Sequence, residues 1–291
     1  MFDAIIDFFD MGQHIIDLCN AAFSFWNACV RQVFKMLGML PEEFQGGDPW
    51  RVIEQINPIF VGVGSSLVVL FFIIGFCSES IDIKEELRFE SILRFLLRLG
   101  VAEWLVINNV TILKAVFKSV GALVNLLSDG AYTSASLSLE AKTAIESLNF
   151  GQGLILLLFT LIAFLVMVIC ALFLIYTVYV RFLKILVIVP FGSVASSTLS
   201  GNRMVSHTAV SYFKYFLSVV LEAVTIALSI IVSNAILSYG IFDISGRGTG
   251  WTGSILYLLE MCFISALTVG SVKGAQQLTQ KVLGLGLLFS D

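Results

Sequence analysis

The sequence contains few charged, histidine and proline residues. Of its 291 residues, 13% are Asp, Glu, Lys or Arg, two are His and four are Pro. A soluble globular chain has about 25% charged and about 45–50% apolar residues, whereas 58% of this chain is hydrophobic and its mean hydropathy is +0.94. This balance excludes a soluble enzyme, a disulfide-stapled secreted domain and a disordered tail. It predicts a protein that crosses a membrane several times.

Catalytic and metal-binding motifs are also scarce. The sequence has no Gly-x-x-x-x-Gly-Lys loop, no His-Glu-x-x-His helix and no Gly-x-Ser-x-Gly turn. Three predicted spans separate its only histidines, His14 and His207. We therefore predict no enzymatic activity, no cofactor and no metal site. The five cysteines lack CxxC spacing and are expected to be small apolar core residues, although pairing of Cys19 with Cys29 stays open.

The first 55 residues are predicted to form an amphipathic helical region, extracytoplasmic or interfacial. A stripe at three- and four-residue spacing marks one helix face and comprises Asp3, Asp7, Asp10, His14 and Asp17. Side chains spread over four turns cannot converge on one ion, so we interpret the stripe as a solvated face. No Lys or Arg precedes Arg31, so the positive region of a cleaved signal peptide is missing and we expect the first helix to be retained.

Uncharged runs long enough to cross the hydrocarbon, about 20 residues, predict five spans. These spans lie within 55–78, 99–127, 147–180, 212–239 and 251–272. The segment 185–202 contains Pro190, Gly192 and several hydroxyl residues, and is predicted to be a broken helix or a re-entrant segment. An amphipathic surface helix is expected over 79–98, and a polar connection over 128–149 with a short helix from Ser138.

The predicted fold class is therefore all-α, a polytopic helical membrane protein with about five transmembrane helices, amphipathic interfacial helices and one Pro-broken segment. Its regions are residues 1–55, the transmembrane domain 56–272 and a short cytoplasmic tail, 273–291. With five spans and the N-terminus outside, ten basic residues lie inside and five outside, as the positive-inside rule requires. A topology with six spans would make the difference in basic residues between the two sides less clear. We predict a cytoplasmic-membrane protein with its N-terminus outside and its C-terminus inside.

Three carboxylates lie within predicted spans: Glu103, Glu222 and Glu260. A charge at the centre of a bilayer costs a few kcal/mol, so it faces a bundle interior, a partner or water. One interpretation makes these acids the lining of a polar pathway; the other makes them structural, paired with Lys114, Lys118 or a neighbouring subunit. Small residues four positions apart, such as Gly62 and Ser66, permit close helix approach.

The stretch from Arg181 to Ala235 resembles a known family. It reads Arg-Phe-Leu-Lys-Ile-Leu-Val-Ile-Val-Pro-Phe-Gly, then small residues, Ser-Gly-Asn-Arg at 200–203, and Ser-Tyr-Phe-Lys-Tyr-Phe-Leu from Ser211. This pattern is similar to the TrbL family, polytopic inner-membrane subunits of conjugative type IV secretion machines, in the form found in Gram-positive mobile elements. The likeness covers about 55 residues.

The resemblance implies a structural or channel-forming subunit that helps DNA or protein cross the cytoplasmic membrane. It implies a homo-oligomeric ring, secretion ATPases as partners and transient contact with single-stranded DNA, besides membrane lipids. On the cytoplasmic side, Arg181, Lys184, Arg203 and Lys214 would contact a substrate or partner, and Pro190 and Gly192 would shape the helix break. The alternative function is a small-solute or ion transporter that uses the intramembrane carboxylates.

Overall fold

The computed structural model describes residues 11–82, 89–131, 134–239 and 251–282, and these residues form helices without strands. The α-helices are α1 (Met11–Gly38), α2 (Asp48–Asp82), α3 (Phe89–Ala131), α4 (Leu139–Glu146), α5 (Phe150–Ser197), α6 (Arg203–Tyr239) and α7 (Trp251–Val282). A short 3₁₀ helix lies at Thr198–Ser200, and Phe44–Gly47 form a turn before α2. The all-α prediction is confirmed.

Five helical segments in the described part of the chain are long and apolar enough to cross a membrane. They are Phe44–Ser78, Leu93–Ser128, Phe150–Ser200, Met204–Ile236 and Trp251–Ala275. Their number matches the predicted five. In each of the first three segments, between 17% and 28% of the most apolar stretch is buried within the protein. Many of their large apolar side chains are exposed, as in helices that face lipid.

The described residues fall into two compact units. The first unit takes its residues from the described parts of Met1–Leu37, Val124–Val178 and Thr225–Ala275. In its helix α1, Ile15, Ile16 and Cys19 are buried, whereas His14 and Asp17 are exposed. The two side chains therefore lie on an exposed face of α1, its contact with solvent stays a prediction, and Asp3, Asp7 and Asp10 lie outside the described residues.

The polar connection before α5 is fixed within the first unit by side-chain hydrogen bonds. Asn27 donates from Nδ2 to the Ala135 carbonyl over 2.7 Å and accepts from the Ala135 N–H over 3.0 Å. The predicted short helix is α4, and Ser138 caps it by accepting from the Ala141 N–H over 3.2 Å. A serine in this position satisfies a backbone donor that a helix start leaves without a partner.

The second unit contains the described residues of Gly38–Leu123 and Tyr179–Val224, with the end of α7 from Gln276. One cluster in its core comprises Val68, Ala102 and Val106, on α2 and α3. The entry to α2 is a left-handed turn, with φ of 52° at Gln45, 71° at Gly46 and 89° at Gly47. A Cβ at position 47 would lie 2.9 Å from the Glu42 carbonyl oxygen, so this turn requires glycine there.

Helix α5 does not stop at Pro190 and Gly192, where the sequence predicted a break. It continues to Ser197, and the chain reverses through Thr198–Ser200 before α6 begins. The C-terminal tail, predicted from residue 273, begins as the end of α7, which extends to Val282. Most of the amphipathic helix predicted over 79–98 lies outside the residues whose side chains are described.

Candidate functional site

Arg181 is a buried cation on α5. Its side chain is 4% exposed, and its guanidinium donates from Nε to the Val219 carbonyl and from Nη2 to the Val220 carbonyl, each over 3.2 Å. Both acceptors belong to α6, so one planar group joins two neighbouring helices. A buried guanidinium is tolerated only when its donors have partners. Arg181 therefore has a structural role in this conformation, and its contact with a substrate or partner stays a prediction.

Glu222 is the carboxylate of the same cluster. It follows Val220, the second Arg181 acceptor on α6, by two residues and is 3% exposed. Lys184 and Arg181, both on α5, interact electrostatically with its carboxylate. Its Oε2 atom has no hydrogen-bond partner among the described residues. An unsatisfied buried acceptor costs about 1–3 kcal/mol, so this oxygen is available to bind a proton or a donor.

The four predicted cationic contact residues do not share one environment. Arg181 is buried, Lys184 is partly buried and Lys214 is exposed. Arg203 begins α6, and its side chain lies outside the described residues. The structure therefore brings Arg181 and Lys184 together with Glu222, and it does not bring Lys214 into that cluster.

The other two intramembrane carboxylates occupy separate sites. Glu103, on α3, accepts a hydrogen bond from the Ser65 hydroxyl of α2 over 2.7 Å. Glu260, on α7, belongs to the first unit and is 4% exposed.

Lys114, which the structural interpretation paired with an intramembrane acid, instead lies beside the entry turn of α2. Its Nζ is 2.8 Å from Glu42 Oε2 and 3.3 Å from Glu54 Oε1, and it lies 5.1 Å from the ring centroid of Trp50. The indole N–H of Trp50 also donates to Glu54 over 2.8 Å. These side chains therefore hold the turn against α3.

Polar side chains from two helices meet α5 next to Pro190. Asn109 of α3 donates from Nδ2 to the Val189 carbonyl over 3.0 Å, and Tyr212 of α6 donates to the Ile188 carbonyl over 3.1 Å. A Cβ at Gly192 would collide with the Asn109 amide and would lie 2.6 Å from the Tyr212 oxygen. Gly192 therefore makes room for these two side chains, and this is its observed role beside Pro190.

Two glycines and two serines bring α2 and α3 against the end of α5 and the turn that follows it. Ser193 donates to the Val106 carbonyl over 3.2 Å, and Ser200, just after α5, donates to the Val68 carbonyl over 2.8 Å. A Cβ at Gly64 would lie 2.9 Å from the Ser193 carbonyl oxygen, and one at Gly75 would lie 3.0 Å from the Asn202 nitrogen. The small residues of 193–200 therefore serve helix packing.

Sequence reasoning missed Asn109, Tyr212 and Gly64 as contact residues. The available signal for Asn109 was an amide inside an apolar run, because such a side chain seeks a partner on a neighbouring helix. Gly62, which the four-residue spacing favoured, has no atom within 4 Å of a Cβ built on it.

No group of three or more His, Cys, Asp or Glu side chains is placed to hold a metal ion within the described ranges. All five cysteines are free, including Cys19 and Cys29. The arrangement at Arg181 and Glu222 supports helix pairing and proton binding.

Comparisons with protein-family models, curated proteins and solved structures find no match to this chain.

Proposed function

We propose that this chain is a structural or channel-forming membrane subunit of a conjugative type IV secretion machine, which helps DNA or protein cross the cytoplasmic membrane. One observation supports a structural role above others. The side chains of Arg181, Ser193 and Tyr212 each donate a hydrogen bond to a backbone carbonyl of another helix. These residues lie in the same stretch that resembles the TrbL family.

Such contacts favour a fixed framework. Side-chain bonds to backbone carbonyls hold helices in one register, because breaking them inside a membrane leaves polar groups without water. A framework subunit needs an external source of energy, which secretion ATPases would supply. The proposed assembly is a homo-oligomeric ring with its N-terminus outside and its C-terminus inside, in contact with lipids and, during transfer, with single-stranded DNA.

The test is DNA transfer from donor cells that carry the chain's own mobile element. Deletion of the coding sequence is expected to abolish transfer while relaxase and ATPase levels stay unchanged, and the chain supplied in trans is expected to restore it. Unchanged transfer after clean deletion contradicts the proposal. Arg181→Gln supplied in trans should restore transfer poorly, whereas Lys118→Gln, at an exposed lysine on α3, should restore it fully.

A small-solute or ion transporter is the second candidate, and the free Oε2 atom of buried Glu222 favours it. An intramembrane carboxylate with an open acceptor is typical of proton-coupled transport. Glu222→Gln keeps the shape of the side chain and removes its titratable carboxyl group. Loss of proton-coupled uptake in vesicles with this variant, while DNA transfer is normal, would support the transporter over the secretion subunit.

A further inference from the structure

A small cavity lies among four helices of the first unit. Its walls include Phe23 and Trp26 of α1, Met167 of α5, Asn234 of α6 and Ser265 of α7. Its volume is about 10 Å³. A cavity needs about 10–15 Å³ to hold one water molecule, so this one has room for a single water and for nothing larger.

The indole N–H of Trp26 is a buried donor at this cavity. Trp26 is 3% exposed, and its Nε1 atom has no hydrogen-bond partner among the described residues. The buried indole of Trp50, by contrast, donates to Glu54 over 2.8 Å. A buried tryptophan N–H usually finds an acceptor, because an unsatisfied donor inside a protein lowers its stability. An oxygen atom in the cavity would supply the acceptor that Trp26 lacks.

Two further polar side chains reach the cavity from other helices. Ser265 donates its hydroxyl proton to the Cys262 carbonyl over 2.9 Å, so its oxygen keeps lone pairs that can accept a hydrogen bond. Asn234 is 3% exposed and carries an amide oxygen that can accept two hydrogen bonds. A purely apolar cavity stays dry, whereas two to four polar partners hold a water molecule. Trp26, Ser265 and Asn234 supply three partners of matching polarity.

We propose that this cavity binds one water molecule, which accepts a hydrogen bond from Trp26 and donates one each to Ser265 and Asn234. The ligand is water rather than an ion, because none of the side chains that line the cavity carries a charge. The water links α1 to α6 and α7, and it satisfies a donor that no bulk solvent reaches. This site is independent of the proposed secretion function.

The test is nuclear magnetic resonance of the full chain in lipid nanodiscs, observed at isotope-labelled tryptophan with carbon-bound protons filtered out. The chain has four tryptophans, and Trp26→Phe identifies the indole signal of Trp26. We expect a cross-peak between this indole proton and water whose sign reverses between the laboratory-frame and rotating-frame Overhauser spectra, as a water held beside the proton gives. A missing cross-peak indicates a dry cavity and overturns the proposal. A cross-peak of one sign in both spectra indicates exchange with bulk water and also overturns it.

Two variants separate a bound water from a proton of the protein itself. A serine hydroxyl proton that exchanges with water can give a signal at the same frequency. Ser265→Ala removes that hydroxyl and leaves the water two partners, so the cross-peak should remain, and its loss overturns the proposal. Adding Asn234→Leu leaves only the indole partner, so the cross-peak should then disappear, and its persistence overturns the assigned partners. Unchanged shifts of the other indole signals report that each variant keeps its fold.

Discussion

The close approach of α2 to α5 at Gly64 leads to a sharp prediction for Gly64→Ala. The new Cβ would lie 2.9 Å from the Ser193 carbonyl oxygen, 3.0 Å from Val106 Cγ1 and 3.1 Å from the Ser193 carbonyl carbon. These neighbours include backbone atoms, which cannot rotate away as a flexible side chain does. Overpacking a tight contact costs about 1–3 kcal/mol. The backbone of α2 must therefore move away from that of α5 at this contact.

Gly62→Ala is the matched control, because Gly62 lies on the same helix and its Cβ would meet no atom within 4 Å. Both substitutions gain the same helix propensity, about 1 kcal/mol in water, so their difference isolates the contact. We expect Gly64→Ala to be less stable than Gly62→Ala by about 1–3 kcal/mol. The assay is SDS-induced unfolding in mixed micelles, followed by circular dichroism. Equal stability of the two variants would refute the packing argument.

Three further predictions concern other parts of the chain. Arg181→Met should lower the free energy of unfolding by about 3–5 kcal/mol in the same SDS assay. Adding Glu222→Gln should recover part of this loss. A double variant that is less stable than Arg181→Met contradicts an interaction between the two residues. Burial raises the pKa of the Cys19 thiol to about 12, so at pH 8 about one molecule in ten thousand carries the reactive thiolate. Mass spectrometry should therefore find Cys19 unlabelled by maleimide until SDS unfolds the protein, and rapid native labelling would disprove its burial. Ser138→Ala should destabilise α4 by about 1 kcal/mol and speed amide hydrogen exchange there about fivefold. Unchanged amide exchange in α4 would exclude capping by Ser138.

The sequence predicted those features that depend on local pattern. Hydropathy located the spans because each needs a long apolar run, whatever its neighbours are. Ser138 before a short amphipathic run located α4, since capping involves only the next few residues. The exposed side chains of His14 and Asp17 followed from helical spacing in the same way.

The contacts of the candidate site depend on residues far apart in the sequence. Arg181 bonds to carbonyls 38 and 39 residues later, and Asn109 bonds to one 80 residues later. The spacing of residues along one helix carries no information on which other helix packs against it. For this reason the four-residue spacing indicates Gly62, whereas the close approach to α5 is at Gly64. The side chains that meet α5 beside Pro190 likewise belong to distant parts of the sequence, on α3 and α6.

The separation between Arg181 and its acceptors also has a consequence for biosynthesis. A ribosome adds about 5–20 residues per second, so Val219 and Val220 are made about 2–8 seconds after Arg181. During that interval the guanidinium has neither of its observed carbonyl partners, and it follows 34 uncharged residues that enter the membrane readily. A bare cation favours the headgroup layer over the hydrocarbon. Arg181 would therefore wait at the membrane surface until α6 arrives, and the pairing of α5 with α6 would be a late step, completed after both helices have left the ribosome.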